Sequence, residues 1–159
     1  MAREDTYLTT EGLRALEDEL DSLRSVRRLE VAARIQDSKD VGDLENAEYE
    51  DAKSEQAFVE GRIQDLEAMI HNAIIIPDHS RSGKKSDIVE LGSIVKVERL
   101  GGKKAETYTI VGSTEAAPAD GKISNESPLG KALLGKAAGD EVQFTVPAGV
   151  QRFKIVSVR

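Results

Sequence analysis

The first half of the chain carries two apolar stripes with helical spacing, and one acidic segment separates them. Leucines recur at intervals of 3, 4 and 3 between Leu13 and Leu23, and apolar residues recur at intervals of 4, 3, 4 and 3 between Val59 and Ala73. Such intervals are typical of heptad seams, in which the apolar positions face a partner helix. Gly42 lies between the stripes and favours a tight connection. The sequence therefore predicts an antiparallel helical hairpin.

The ends and the continuation of these helices can also be read from the residues. Val26, Leu29 and Ala33 continue the first stripe toward the turn. Thr10 is the predicted N-cap of the first helix, and Pro77 is the residue expected to stop the second. Each arm then holds about 30 residues, which corresponds to roughly 45 Å of helix at 1.5 Å per residue.

The acidic segment, Asp37 to Asp51, holds seven carboxylates against one lysine, Lys39. Packing like charges together is destabilising, so the segment favours a role in carrying negative charge to a metal ion or a basic partner. An EF-hand calcium loop is excluded, because Lys39 and Val41 would occupy positions that need oxygen ligands.

Two interpretations of the acidic segment stay open at this point. The structural one is that Asp43, Glu45 and Glu48 lie in the first turn of the second helix, where carboxylates stabilise the positive end of the helix dipole by about 0.3–1 kcal/mol each. The functional one is that the carboxylates help to hold a Mg²⁺ in the active site of another enzyme. Mg²⁺ needs only one or two carboxylates from each protein partner.

Charge and composition separate the two halves. Residues 1–76 contain 9 Lys and Arg against 19 Asp and Glu, and residues 77–159 contain 13 against 10. An acidic half is poorly suited to gripping nucleic acid directly, because phosphate contacts need cations. There is no cysteine, the N-terminus lacks an apolar signal region, and no run of about 18 apolar residues occurs. The sequence thus predicts a soluble cytoplasmic protein.

The second half changes to a period of two. Short β-rich runs such as those at 94–97, 108–111, 142–146 and 153–158 alternate with Gly-containing turns, which is typical of a small antiparallel sheet. One helix is expected at 128–135. The predicted fold class is α+β, with an N-terminal coiled-coil hairpin over 1–76 whose acidic tip lies near 40–48, a linker over 77–87, and a globular domain over 88–159.

The segment GDLENAEY at 42–49 resembles the signature of the GreA/GreB transcript-cleavage factors of bacterial RNA polymerase. Further segments resemble the same family, in the same order and with similar spacing: LTTEGLRALEDELDSL at 8–23, SVRR at 25–28, EGRIQDLEAMIHNA at 60–73, LGSIVKVE at 91–98, YTIVGSTEA at 108–116 and ISNESPLGKALLGKAAGDEV at 123–142.

This resemblance implies an accessory factor and not an enzyme in its own right. It implies a C-terminal domain of FKBP-like fold that anchors on RNA polymerase near the rim of the secondary channel, and a coiled coil that enters that channel. The expected partners are the polymerase and the 3′ end of the nascent RNA, with no membrane and a monomeric factor. No cofactor is expected on the free chain, and Mg²⁺ would be shared with the polymerase.

The resemblance assigns the metal-assisting tip acids to Asp43 and Glu45. The family normally places its second acid three positions after the first, whereas Glu45 is only two positions after Asp43. Residues i and i+3 share a helix face, but i and i+2 do not. Asp40, three positions before Asp43, is a substitute partner. Two hypotheses follow: a locally remodelled tip that retains cleavage, or a channel-binding regulator with weak or no cleavage.

The resemblance also assigns two contact surfaces. Glu126, Ser127 and Pro128 match the loop that is implicated in holding the polymerase, and Arg27 and Arg28 match basic residues of the coiled coil that are thought to meet the RNA 3′ end. Each assignment has a structural alternative. Ser127 and Pro128 also fit a helix N-cap followed by proline at the first turn, and arginines on a helix are commonly solvated.

Two other classes of protein are compatible with parts of the sequence. A peptidyl-prolyl isomerase is suggested by fold analogy alone, and its apolar pocket would depend on Tyr108, Phe144 and Phe153. A generic coiled-coil adaptor or chaperone is the second alternative, and it predicts that replacing Asp43 by alanine has no effect.

Overall fold

The computed structural model describes residues 4–39, 47–79 and 87–159, which fall into two compact units. The first unit contains Leu13–Ala73, and the second contains Thr6–Gly12 together with Ile74–Arg159. The sequence places Thr6–Gly12 with the hairpin, whereas the structure groups it with the second unit. Most of the predicted linker, 80–86, lies outside the described residues.

The first unit is a helical hairpin. Its descending arm comprises α1 (Thr10–Ser22), a single π-helical turn (Leu23–Arg27) and α2 (Arg28–Lys39), and its returning arm is α3 (Ala47–His71). The turn that was predicted around Gly42 lies outside the described residues.

Both predicted helix ends need correction. The N-cap of α1 is Thr9 and not Thr10, because the Thr9 hydroxyl accepts a hydrogen bond from the Gly12 amide at 3.0 Å. The returning helix ends at His71, well before Pro77, because the next residues form strand β2 (Ala73–Ile75). β-Branched isoleucines favour a strand, and β2 pairs with β1 (Thr6–Leu8), which the sequence pattern did not predict.

The seam of the returning arm is buried at Val59, Ile63 and Leu66 as predicted, whereas Ile70 is half-buried and Ala73 belongs to β2. The seam of the descending arm changes register. Leu16 and Leu20 are buried, whereas Val26 and Leu29 are 51% and 64% exposed and Ala33 is also exposed, so the predicted continuation of the stripe is wrong. The buried side chains beyond the π turn belong to Val31, Ile35 and Ser38.

The π turn accounts for this change. A regular heptad continued from Leu23 would bring positions 27, 30, 34 and 37 to the seam, and Val31, Ile35 and Ser38 each lie one residue later. A π turn accommodates one extra residue, and the Arg28 amide donates to the Leu23 carbonyl, five residues back. Without it, Glu30, Arg34 and Asp37 would face α3.

The energies favour the π turn. Burying Val31 and Ile35 contributes about 1.5–3 kcal/mol each, whereas one weakened helix hydrogen bond costs about 0.5–1.5 kcal/mol. The buried Ser38 hydroxyl adds no unsatisfied group, because it donates to the Arg34 carbonyl at 2.8 Å.

The second unit is a five-stranded sheet in the order β5-β4-β3-β7-β6, with one short helix. Its elements are β3 (Ile94–Arg99), β4 (Ala105–Val111), β5 (Lys122–Ser124), α4 (Pro128–Leu133), β6 (Glu141–Val146) and β7 (Gly149–Val158). The α+β fold class is confirmed. One pairing differs from the predicted antiparallel pattern, since β4 and β5 run parallel.

The core of this unit lies on one side of the sheet, and Leu133 of α4 is fully buried in it. Val89, which precedes β3, and apolar residues along the strands supply the rest: Val95, Val97, Ile110, Ile123, Val142, Phe153, Ile155 and Val158. The predicted helix at 128–135 is confirmed, although it ends at Leu133.

The π turn makes a direct prediction about deletions. Removing Ser25, an exposed residue of that turn, is expected to convert it to a regular α-helix with Val31 and Ile35 still in the seam. The free energy of unfolding should change by less than about 1 kcal/mol, because the buried contacts are kept. Thermal unfolding followed by circular dichroism measures the change.

Deletion of Ala33 is the matched control, because Ala33 is also exposed but lies in regular helix beyond the π turn. The deletion shifts the register of the helix by one residue, so that either Val31 or the residues after position 33 leave the seam. The free energy of unfolding should then fall by about 2 kcal/mol or more. Equal destabilisation by the two deletions would show that the π turn does not set the register.

Candidate functional site

The acidic tip is approached from both sides by described helices. α2 ends at Lys39 and α3 begins at Ala47, and the predicted metal-assisting residues Asp43, Glu45 and Asp40 lie outside the described residues. Glu48 lies in the first turn of α3, as the helix-dipole interpretation requires. The carboxylates of that turn therefore stabilise the helix start, whatever else they do.

No metal site is present elsewhere in the described residues. Across 4–39, 47–79 and 87–159, no three His, Asp or Glu side chains come together in a way that could hold a metal ion. The described part of the chain thus contributes no closed set of ligands, and the predicted carboxylates at the tip stay a prediction.

Arg27 and Arg28 both bond to carboxylates of the opposite arm. The Arg27 guanidinium contacts Glu55, and it also lies 3.1 Å from Glu30 on its own arm. Arg28 donates two hydrogen bonds to Glu60, at 2.7 and 2.9 Å. The hydrogen bonds to Glu60 raise the pKa of Arg28 above its usual range, although burial opposes this. Both arginines therefore fasten the two arms together in the free chain.

Arg27 and Arg28, for which the RNA contact was predicted, lie well back along the arm from the end of α2. Arg27 lies twelve residues before Lys39, the last described residue of α2, which is roughly 18 Å along a helix. The RNA-proximal role is a prediction, and the fastening of the arms is what the described contacts show.

Glu55 is a connecting residue that the sequence analysis missed. Each of its carboxylate oxygens accepts from a different arginine, Arg27 and Arg34, and its side chain is only 20% exposed. Heptad spacing identifies the apolar seam but does not show which charges flank it across the hairpin. The only sequence feature that pointed to Glu55 was a carboxylate at a position next to the seam.

A second connection lies nearer the open end of the hairpin. Arg62 of α3 donates to Glu19 of α1 at 2.7 and 2.9 Å. The hydrogen bond from Arg62 lowers the pKa of Glu19, which outweighs the opposing effect of burial. This pair is partly exposed, so its contribution to stability is on the order of 0.2–1 kcal/mol.

The lowered pKa of Glu19 predicts a pH dependence. The stabilisation is fully present above the unfolded pKa of 4.5 and is lost as the pH falls through the lower, folded pKa. The Glu19→Gln variant should therefore unfold at a lower temperature than the unsubstituted chain at neutral pH, and this difference should shrink in acid. Glu17→Gln is the control, because Glu17 is exposed on the same helix and makes no ion pair within the described residues. A pH-independent difference would contradict the assignment.

The predicted polymerase-binding loop is an ordered helix cap. The Ser127 hydroxyl accepts from the Gly130 amide at 3.1 Å and donates to the Ser124 carbonyl at 2.6 Å, so its predicted capping role is confirmed. The Glu126 carboxylate accepts from the Ser113 hydroxyl at 2.6 Å. These bonds fix the loop and leave Glu126 and Pro128 exposed. Their contact with a partner stays a prediction.

A further contact escaped the sequence analysis. Glu115 accepts from both the amide and the hydroxyl of Thr9, at 2.6 and 2.5 Å, across 106 residues of sequence. The same hydroxyl caps α1. This contact explains why Thr6–Gly12 belongs with the second unit.

The three aromatic residues Tyr108, Phe144 and Phe153 lie outside the cleft that the described residues form next to Thr9. Phe144 and Phe153 stack with ring centres 5.6 Å apart, and Phe153 is 8% exposed in the core. Burial, and then the hydrogen bond to Glu106, raise the pKa of Tyr108 to about 12. None of the three lines the described cleft of about 220 Å³ next to Thr9. The isomerase alternative therefore finds no support in the described residues.

The described residues thus combine a helical hairpin fastened by ion pairs with a small β-sheet unit in one chain. In the described residues, no helix has the length and apolar character needed to cross a membrane. The family model described as "Transcription elongation factor, N-terminal" matches residues 6–75, and that described as "Transcription elongation factor, GreA/GreB, C-term" matches residues 84–159.

Individual relatives agree with these matches over the whole chain. The transcription elongation factor GreA of Bacillus cytotoxicus is 51% identical over 161 residues, which cover 100% of both chains. That of Thermoanaerobacter pseudethanolicus is 52% identical over 153 residues, 96% of each chain. Among solved structures, the chain is similar to the crystal structure of GreA factor homolog 1 from Thermus thermophilus, with 30% sequence identity and a TM-score of 0.43. The match covers 98% of this chain and 99% of that chain. The chain belongs to the GreA/GreB family of transcription elongation factors, which confirms the resemblance.

Proposed function

We propose that this chain binds RNA polymerase, inserts its helical hairpin into the secondary channel, and stimulates the polymerase's own endonucleolytic cleavage of backtracked RNA. The observation that carries the proposal is the family match, which covers both halves of the chain at 6–75 and 84–159. The factor would act where the polymerase is, in the bacterial cytoplasm, and the cleavage would be the polymerase's activity and not its own.

The hairpin is suited to such a role. The 25 residues of α3 correspond to roughly 37 Å of helix. Its two arms are held by a narrow seam of buried side chains and by ion pairs on both flanks, including Arg28 with Glu60 and Arg62 with Glu19. A pair of helices needs no further protein around it when its flanks are fastened in this way, so it can enter a confined space.

The tip residues Asp43 and Glu45 would hold a Mg²⁺ jointly with the polymerase, with Asp40 as the substitute partner. Carboxylates are the ligands that Mg²⁺ prefers, and one or two from each protein suffice. When bound, the ion supplies charge stabilisation for attack of water on the RNA phosphodiester. The chain alone would bind no cofactor.

The remaining site residues would position the complex. Glu126, Ser127 and Pro128 would contact the polymerase near the rim of the channel, since their loop is ordered before any partner arrives. Arg27 and Arg28 would approach the RNA 3′ end with the guanidinium donors that Glu55 and Glu60 leave free, because each guanidinium carries five N–H groups.

A second candidate function comes from the spacing at the tip. Asp43 and Glu45 are two residues apart, and on a regular helix they would point in directions about 200° apart. A chain with such a tip could occupy the channel and regulate the polymerase with weak or no cleavage.

The Asp43→Ala variant separates these functions from a generic adaptor. We expect cleavage to fall by at least about tenfold, the scale of about 1.4 kcal/mol, because the variant loses one metal-assisting carboxylate. Affinity for the polymerase should be unchanged. The assay follows RNA shortening in halted complexes of the cognate polymerase at two Mg²⁺ concentrations. Robust cleavage by the variant would sink the proposed role of Asp43.

Insertion of one Ser between Leu44 and Glu45 tests the second candidate. The insertion restores a three-residue interval between the acids, so a regulator with a weak native tip should gain cleavage by at least about tenfold. Insertion of Ser between Glu45 and Asn46 is the control, because it lengthens the same segment but leaves the interval between the acids as it is. Strong native cleavage that the tip insertion does not increase would remove the second candidate.

A further inference from the structure

The turn between β3 and β4 carries an unusual concentration of exposed cations. Arg99, Lys103 and Lys104 lie at or next to the turn, and Arg152 lies beside it because the Leu100 amide donates to the Arg152 carbonyl at 3.1 Å. We call these four residues the basic rim. Their four positive charges exceed the net charge of +3 that residues 77–159 carry together.

The cations of the basic rim have no partners within the described residues. None of the four makes a side-chain hydrogen bond or an ion pair there, whereas five arginines of the hairpin do: Arg24, Arg27, Arg28, Arg34 and Arg62. Of the two nearby acids, Glu106 bonds to the Tyr108 hydroxyl and Glu98 pairs in register with Lys154 and Ala105. The rim therefore presents uncompensated positive charge to solvent.

Apolar side chains accompany this charge. Leu100 is 42% exposed within the turn, and Val150 is 54% exposed near the start of β7. A single-stranded nucleic acid is a poor match for such a surface, because single strands are held by exposed aromatic rings. The phenylalanines of β6 and β7, Phe144 and Phe153, stack on each other instead. Exposed aliphatic groups beside arginine are typical of protein interfaces.

The basic rim lies at the opposite end of the sheet from the Glu126 loop. Ser124, which precedes that loop, pairs with Val111 at the end of β4, whereas the rim lies before Ala105 at its beginning. Six residue intervals of strand separate the two ends, which is roughly 20 Å. The rim cannot be an extension of the loop surface and must be a separate one.

We propose that the basic rim docks on an acidic surface of RNA polymerase that also exposes apolar side chains, and that it forms a second anchor for the factor. The inference rests on the proposed binding to the polymerase. It adds a second contact, gives its place as the β3–β4 turn, and gives its charge as positive on this chain. Complementary charge speeds and orients association, and the apolar groups add affinity that salt does not screen.

The test compares two double charge reversals in the full-length chain. Lys103→Glu with Lys104→Glu reverses the rim, and Lys136→Glu with Arg159→Glu is the control, since both of these residues are exposed and Arg159 pairs with Ile94 at the far end of β3. We expect the rim variant to bind the cognate core polymerase at least about tenfold more weakly at about 50 mM salt, and the loss to shrink at about 300 mM. The control should change the dissociation constant by less than about twofold.

A further variant checks the apolar part of the surface. Leu100→Ser with Val150→Ser should weaken binding by about three- to tenfold at both salt concentrations, because burial of aliphatic groups is not screened. Thermal unfolding of every variant confirms that it is folded, as expected for exposed positions.

The possible results distinguish this inference from the proposed function. If the unsubstituted chain does not bind the polymerase, the proposed function fails and the inference falls with it. If it binds and the rim variant binds equally well, only the inference is overturned. Retention of a DNA duplex by the unsubstituted chain but not by the rim variant, with equal binding to the polymerase, would assign the rim to nucleic acid and overturn the protein partner.

Discussion

The hairpin depends on the packing of Val31 and Ile35 against α3, and that packing depends on one π turn. The descending arm carries its apolar residues in two registers that differ by one position, and only the extra residue of Leu23–Arg27 brings both into one seam. Every contact nearer the tip follows from it, since the direction in which α2 presents each side chain is set at this turn. Val26 and Leu29 are exposed because they lie off this seam.

The ion pairs between the arms are a consequence of that register. Once Val31 and Ile35 face α3, Arg27 and Arg34 lie on one flank of the seam and meet Glu55 together. The narrow seam leaves each arm largely exposed, so ion pairs across the arms supplement a small buried contact. Glu55 differs from the other carboxylates of these pairs in being only 20% exposed, and its loss would leave Arg34 without an ion-pair partner in the described residues, whereas Arg27 would keep Glu30.

The sequence was informative where local spacing decides structure and uninformative where distant contacts do. The seam of α3 and the Ser127 cap followed from intervals and residue types within one element. The π turn could not be read this way, because the apolar residues Val26 and Leu29 also follow Leu23 at intervals of three, and spacing alone does not show that Val31 and Ile35 are the buried ones. The bond between Thr9 and Glu115 joins residues 106 positions apart, and no local pattern encodes it. The tip acids were identified by resemblance, and they lie outside the described residues.

The distribution of charge along the hairpin gives the acidic segment its meaning. In the described shaft, the carboxylates Glu19, Glu55, Glu60 and Glu67 are each matched by arginines of the opposite arm. The ten excess negative charges of residues 1–76 are therefore not spread evenly, since seven carboxylates against one lysine fall within Asp37 to Asp51. The shaft pairs these four carboxylates across the arms, and the acidic segment lies where the hairpin would first meet the proposed partner. Such a concentration of carboxylates attracts cations, which is the physical basis of the proposed role of the tip acids in assisting a Mg²⁺ held by the polymerase.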